Sequence, residues 1–312
     1  MTDVTNGHGD APGPIRAFVI GRDRKGKPIG DAVSDVQRLL AESDATVTDV
    51  AVVKHKRDIR RLTRKASRDG CDVVIAVGGD GTVLQVATAL AETQVALAIV
   101  PTGTGNLLAG NLGIPHEPAD AVHTALTGRR RRIDVGRLTV DRKRRAFTVA
   151  CGAGFDADVM DRTDSKEKGR WGRFAYLANA IREGGNIHNV SHEITLDGVR
   201  STTEAAQVLI ANFGRVPPGL KVRGVRADDG LLDVFIVRAS GPLPALLAGW
   251  EALRTTGNGG TDGGRVFRAR ARTVRVETSP KRRVETDGSV VGRTPFTASI
   301  QPKALTVMVP RR

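Results

Sequence analysis

At 312 residues the chain is long for one compact domain and comfortable for two lobes, because single hydrophobic cores usually stop growing near this size. An apolar content of 40% with 36 glycines and one tyrosine excludes a disordered chain and predicts a Gly-rich globular protein. The formal charge of +14, from 48 Lys+Arg against 34 Asp+Glu, implies attraction to nucleotides, nucleic acids or anionic membrane surfaces without choosing among them.

Residues 1–14 are polar, interrupted by Gly and Pro, and lack the apolar run of a secretory signal, so a disordered tail is expected there. Ile15 to Ile20 is the first strand candidate, followed by a helix over Ala32 to Leu40, a β-rich run at Thr46 to Val53 and a charged helix near Asp58 to Arg68. Asp72 to Val77 reads as a strand covered on both faces and runs into Gly78-Gly79-Asp80-Gly81-Thr82, where a helix over Val83 to Ala91 begins. Ala96 to Val100 is the next buried strand, ended by Pro101 and a second turn, Gly103-Thr104-Gly105-Asn106; one more helix spans Pro118 to Leu126. This alternation predicts βαβ units on a mostly parallel sheet.

From Ile133 the texture changes to alternating apolar and polar residues, in Arg137 to Val140, Ala146 to Ala150, Val208 to Ala211, Leu231 to Arg238 and Arg272 to Glu277. A second, largely antiparallel β lobe is expected, with helices inserted near Trp171 to Arg182 and Pro244 to Leu253 and a glycine-rich loop at Gly257 to Gly264. Cys71 and Cys151 lie in apolar segments far apart in sequence and read as buried, reduced thiols. No apolar stretch approaches the roughly 20 residues of a spanning helix, so a cytoplasmic protein is expected, with any membrane contact peripheral. The runs Arg129 to Arg132, Arg142 to Arg145 and Lys281 to Arg283 read as solvated faces or as contacts to an anionic partner.

In a doubly wound sheet a ligand binds at the carboxyl ends of the strands, where Gly78 to Thr82 is placed. Glycines let backbone N–H groups approach phosphate oxygens, and the following helix start favours negative charge. Asp80 adds a carboxylate of the type that holds Mg²⁺ beside phosphates; as a bare turn, it is a helix cap instead. The turn at Gly103 to Asn106 follows after one helix and one strand, so both should open on the same sheet edge and make a cleft. Thr104 and Asn106 then offer hydrogen bonds to a nucleotide, with turn-capping by Asn106 as the structural alternative.

These residues, with Leu112-Gly113-Ile114-Pro115, Gly152-Ala153-Gly154-Phe155-Asp156-Ala157, Asp229-Gly230-Leu231-Leu232-Asp233 and Asp287-Gly288 in order, resemble the diacylglycerol kinase catalytic domain family, which includes sphingosine kinases and bacterial lipid kinases. The resemblance runs from about Ile15 to Val309. It implies an α/β fold with a Rossmann-like N-terminal lobe on a parallel sheet and a β-rich, sandwich-like C-terminal lobe. The division implied is a nucleotide-binding lobe at 15–132, a lipid-acceptor lobe at 133–300 and a C-terminal strand at 301–312 returning to the first lobe.

The resemblance also implies transfer of the γ-phosphoryl of Mg-ATP to the hydroxyl of a lipid such as diacylglycerol, in phospholipid metabolism. Gly78, Gly79, Asp80, Gly81, Thr82, Gly103, Thr104 and Asn106 are then the nucleotide site. Asp80, Asp229 and Asp233 become candidate Mg²⁺ ligands, Asp229-Gly230 being equally a loop turn. A lipid substrate and a homodimer are the implied partners, and the basic surplus of the chain suits peripheral association with an anionic membrane surface at the inner membrane face.

The family pattern places a glutamate, thought to be the general base, after the C-terminal Asp-Gly; here Ser289 stands in that position, and a serine does not accept a proton at neutral pH as a carboxylate does. On an extended strand Glu285 and Asp287 share the face of Ser289, so either is a candidate catalytic substitute, together with Asp80. A shift of two residues moves a carboxylate by roughly 6 to 7 Å. Leu107 replaces a common aspartate, Leu84-Gln85 an Asn-Glu pair, and Gly21-Arg22-Asp23-Arg24-Lys25 the usual Asn-Pro pair after the first strand.

Three other readings stand beside this one. A relative that binds nucleotide or lipid without efficient turnover follows from Ser289. An NAD kinase also uses a Gly-Gly-Asp-Gly turn, but the second turn at Gly103 to Asn106 and the Gly154-Phe155-Asp156-Ala157 segment favour the lipid kinase side. A basic nucleic-acid-binding protein would use the arginine runs, but 4% aromatic content leaves few stacking platforms, so nucleic acid is not the expected partner. The apolar face of Trp171, Phe174, Leu177, Ala178 and Ile181 is expected to pack in a core, with an acyl-chain groove as the alternative.

Overall fold

The structure, a computed structural model, describes residues 14–23, 28–154, 188–215, 222–239, 259–260, 264–287 and 289–311. The tail, the helices expected near Trp171 and Pro244, the Phe155-Asp156-Ala157 part of the family motif, Gly288 and most of the glycine-rich loop lie outside the described residues.

The first half alternates strand and helix: β1 (Arg16–Arg22), α1 (Gly30–Ala41), β2 (Thr46–Val53), α2 (Lys56–Arg68), β3 (Val73–Gly78), α3 (Asp80–Leu90), β4 (Ala96–Pro101), α4 (Leu107–Leu112) and α5 (Pro118–Thr127). β1 pairs in parallel with β2 and β3, and β3 with β4. Every residue of β3 and β4 is buried, as continuous apolar runs require when helices cover both faces. Val33, Val36 and Leu40 of α1 and Ile59 and Ala66 of α2 recur at helical spacing and bury against this sheet.

Strands then take over: β5 (Arg129–Val140), β6 (Lys143–Phe147), β7 (Ala150–Ala153), β8 (Val190–Leu196), β9 (Val199–Ala205), β10 (Gln207–Ala211), β11 (Leu232–Val237), β12 (Gly259–Gly260), β13 (Val266–Ala271), β14 (Thr273–Ser279), β15 (Arg283–Thr286), β16 (Ser289–Arg293) and β17 (Phe296–Val309). Among the described residues they complete two sheets. One is ten-stranded, in the order β2-β1-β3-β4-β17-β14-β8-β9 with β5 and β6 attached through β17; the other is seven-stranded, β12-β13-β11-β10-β7-β15-β16. Phe147, Ile194, Val276 and Phe296 from the first sheet meet Val208, Ile210, Leu232 and Val284 from the second in a common core, so the C-terminal half is a sandwich of antiparallel pairs.

A long ribbon joins the halves. β17 pairs antiparallel with β5 from Phe296↔Val140 to Val309↔Arg129, and Val307 lies parallel beside Leu97 of β4. The boundary expected after Arg132 therefore falls inside one strand. A break in register between Gln301 and Leu305 is held by Asp134, buried on β5, whose two oxygens accept N–H bonds from Lys303 at 2.6 Å and Gly230 at 2.8 Å.

Candidate functional site

β3 ends at Gly78 and the chain turns at once into α3, which starts at Asp80, earlier than the expected Val83, because the Gly79 carbonyl accepts both Thr82 N–H (2.9 Å) and Val83 N–H (3.2 Å). The parallel register places Gly78 beside Pro101, so the second glycine turn leaves the sheet on the same edge. The two turns touch backbone to backbone. A Cβ on Gly103 would lie 2.6 Å from the Cα of Gly79, and one on Gly105 would lie 2.6 Å from Asp80 Oδ2. Glycine is required here for close approach, since side chains would push the turns apart.

Asp80 fastens them. Its Oδ1 accepts the N–H of Leu107 at 2.6 Å, at the start of α4, so a carboxylate on one turn caps the helix that leaves the other. Burial pushes the Asp80 carboxyl above the ordinary carboxylate value, and N–H groups of Leu107 and its neighbours oppose that shift. Asn106, in a left-handed conformation at φ 43°, spends its amide inside the turn: Oδ1 accepts from Gly103 N–H at 3.0 Å and Nδ2 donates to Gly103 O at 2.7 Å. Of the two roles open to Asn106, the structure shows the loop-shaping one. Thr82 is buried against Gly78, whereas Gly81, Thr102 and Thr104 are exposed. Leu107, where an aspartate is common in the family, is buried in the core.

The other lobe contributes Asp287, at the turn between β15 and β16 with φ 41°. Its carboxylate accepts four hydrogen bonds: Thr148 N–H (2.7 Å) and hydroxyl (3.0 Å), Val149 N–H (2.9 Å) and Ala150 N–H (3.0 Å). Burial pushes this carboxyl up as well, against those donors. So saturated a carboxylate is an anchor for the segment entering β7, not a free proton acceptor. Glu285 lies two residues earlier on β15, half-buried, whereas Asp287 has left the strand for the turn, so the shared face expected of an extended strand does not carry over to it.

Asp229 and Asp233 meet arginines. Asp233, fully buried, accepts from Arg268 Nε at 2.9 Å and Nη2 at 2.6 Å, while Arg268 also donates to Arg223 O at 2.9 Å and stacks 5.3 Å above the Phe235 ring. Asp229 pairs with Arg270, which lies opposite Asp233 across the β11–β13 ladder. Burial raises the Asp233 carboxyl, with the Arg268 guanidinium acting against it. Guanidinium groups thus hold the positions where a cation was expected; both Arg268 bonds fall on Asp233 Oδ1, and Oδ2 is buried without a hydrogen-bond partner among the described residues. Among the described residues no group of three His, Cys, Asp or Glu side chains is placed to hold one. Asp80 is different: its Oδ2 faces a cradle kept open by Gly105, the donor chemistry a phosphate-bound divalent cation takes.

Two polar residues of the site were not singled out from sequence. Asn212, buried after β10, donates to Asp134 O at 2.9 Å and Thr148 O at 2.8 Å, tying the Asp134 anchor to the Asp287 anchor. Asn111 of α4 donates to Arg215 O at 2.8 Å and accepts its N–H at 2.9 Å, clasping the second glycine turn to the C-terminal half. A polar residue closing the apolar run Val208 to Ala211 was the visible signal for Asn212.

Residues 16–138 match the diacylglycerol kinase catalytic domain, and residues 149–309 match the YegS C-terminal NAD kinase beta sandwich-like domain. An uncharacterized Synechocystis protein, sll0036, is 29% identical over 275 residues, covering 87% of this chain and 62% of its own length; the chain therefore spans less than two thirds of that relative. A Mycobacterium tuberculosis diacylglycerol kinase is 32% identical over 262 residues, covering 81% of this chain and 82% of its own. A solved structure of a Bacillus anthracis diacylglycerol kinase superposes with a TM-score of 0.70 at 22% identity, covering 95% and 96% of the two chains, and shows the same fold.

Proposed function

The chain belongs to the diacylglycerol kinase catalytic domain family, and from that premise we propose that it transfers the γ-phosphoryl group of Mg-ATP to the hydroxyl of a lipid such as diacylglycerol. The observation that carries the reading is the backbone contact of the two glycine turns, with Asp80 capping one from the other and turning its second oxygen toward Gly105.

Bound Mg-ATP supplies the phosphoryl group, and the cation offsets charge on its oxygens. The chain's own share is positioning. Backbone N–H groups of Gly79 to Gly81 at the start of α3 would receive the phosphates, the exposed Thr102 and Thr104 would offer their hydroxyls to the nucleotide, and Asp80 Oδ2 would be the metal-side ligand. The acceptor hydroxyl must lose a proton, and we assign its uptake to Glu285, four residues before Ser289 on the same β15–β16 hairpin.

Titration calorimetry of Mg-ATP against the full chain tests the nucleotide part: micromolar to sub-millimolar binding in the wild type, weakened about tenfold or more in Asp80→Asn, is the expected result. Absence of ATP binding in the wild type would remove the reading. A second reading, a nucleotide-binding relative with little turnover, is favoured by Ser289 alone; it keeps ATP binding and lacks transfer.

A further inference from the structure

Two β-hairpins lie side by side in the C-terminal half. The first is β5–β6, turning at Asp141 and Arg142, both with positive φ; the second is β15–β16. They abut at Gly292, where an added Cβ would collide with the Asp141 carboxylate and lie 2.6 Å from Val140 Cγ2. Arg142, Lys143, Arg144 and Arg145 of the first and Lys281 and Arg293 at the base of the second are all exposed. Among the described residues none of the six has an acidic ion-pair partner, although the chain elsewhere pairs Arg131 with Asp228, Arg137 with Glu92 and Arg200 with Glu193. Val290, on the second hairpin, adds an apolar side chain that is 42% exposed.

Edge protection accounts for part of this. Among the described residues β6 pairs only with β5, and cations on an edge strand keep other strands from adding to it. One or two would suffice. Lys143 and Arg145 leave one face of β6 and Arg144 the other, with Arg142 in the turn and Lys281 and Arg293 on a hairpin about 140 positions later; with the exposed Asp141 where the hairpins abut, they make a surface dominated by positive charge. The field leads toward the site, because Arg145 is three residues, about 10 Å of strand, from Thr148, which holds Asp287.

We propose that the paired β5–β6 and β15–β16 hairpins form the surface by which this chain docks on an anionic bilayer. The proposal rests on the lipid-kinase reading for its biological sense, since an acyl-chain substrate resides in a bilayer. Its physical basis is charge complementarity, with Val290 offering a contact to the interfacial region. A nucleic acid is the weaker fit, for among the described residues the aromatic side chain of these hairpins nearest the cations, Phe147, is buried and offers no face to stack a base.

The test is flotation of the full chain with phosphatidylcholine vesicles, with and without phosphatidylglycerol, at low and high salt. The expected result is binding only to the anionic vesicles, lost at high salt, and weakened on the order of 100-fold by Lys143→Gln/Arg144→Gln/Arg145→Gln. The same loss of charge on α2, by Arg60→Gln/Arg61→Gln/Arg64→Gln, should leave binding within about twofold; equal weakening by both triples would overturn the proposal in favour of bulk charge. Binding of single-stranded RNA that falls with the hairpin triple, while vesicle binding does not, would overturn it in favour of a nucleic acid. Phosphorylation of a water-soluble short-chain diacylglycerol separates the two claims. Transfer that survives in the hairpin triple while vesicle binding is lost supports the docking surface, whereas a wild type that binds vesicles but never transfers leaves the surface standing and removes the kinase reading.

Discussion

Thr148 donates both its backbone N–H and its hydroxyl to the carboxylate of Asp287, at 2.7 and 3.0 Å, across 139 positions of sequence. With Val149 and Ala150 adding two more N–H donors, this one side chain organises the entry to β7. Replacing it by asparagine turns an amide NH₂ toward at least one backbone N–H, which can only donate. Asp287→Asn is therefore expected to lower unfolding stability by roughly 2–4 kcal/mol in urea denaturation. Unchanged stability with a large fall in kcat would instead make Asp287 the proton acceptor.

Asp80→Asn separates charge from shape. The amide oxygen still accepts Leu107 N–H, so the cap survives, while the metal-side charge is lost; transfer should fall about 100-fold or more. Its effect on stability has a defined sign. The folded carboxyl is raised above its unfolded value, so its contribution is fully present below the unfolded pKa and is lost as pH rises through the folded one. The variant should thus be at least as stable as the wild type at neutral pH, with that advantage vanishing as pH falls below the ordinary carboxylate value. Thermal melts across pH check this.

Gly103→Ala and Gly81→Ala form a contrasting pair. A Cβ at Gly103 meets the Gly79 backbone, so the turns must part, costing about 1–3 kcal/mol together with ATP affinity. Nothing lies within 4 Å of a Cβ at Gly81, and stability there should hold within about 0.5 kcal/mol. Calorimetric ATP titration alongside denaturation reads both effects.

Restoring the missing acid is a gain-of-function test. Ser289→Glu should raise kcat about tenfold or more with the KM for ATP unchanged, and Glu285→Gln in the wild-type background should lower kcat by about 100-fold. No response to either change would place the proton acceptor elsewhere.

Arg268 and Arg270 make the Asp229 and Asp233 region self-sufficient in charge. Chelator should leave the melting temperature unchanged, whereas Arg268→Ala, by stranding a buried Asp233, should cost roughly 3–5 kcal/mol. A chelator-dependent drop in melting temperature would point to a bound metal there.

The glycine turns were legible in the sequence because backbone contact leaves glycine little alternative, and their common edge followed from the βαβ order. Parallel strands β3 and β4 were visible as continuous apolar runs, and the antiparallel sandwich as alternation after Ile133. The hairpin of β8 and β9 was not singled out; most of β9 is exposed and polar, so it carries no clear apolar alternation. Partner choice was the harder part. Whether an acid faces a metal or an arginine depends on register, and only the pairing of β11 with β13 puts Arg270 opposite Asp233. Likewise the Asp287 carboxylate is satisfied by backbone donors, which no sequence motif marks.

The most direct measurement is label transfer from γ-labelled Mg-ATP into a panel of hydroxyl lipids in anionic micelles, comparing wild type with Asp80→Asn. The expected result is label in one lipid class with wild type and about 100-fold less with the variant. Bound ATP with no lipid labelled by the wild type, or labelling indifferent to Asp80, would contradict the assignment of the two glycine turns and Asp80 as a working phosphoryl-transfer site.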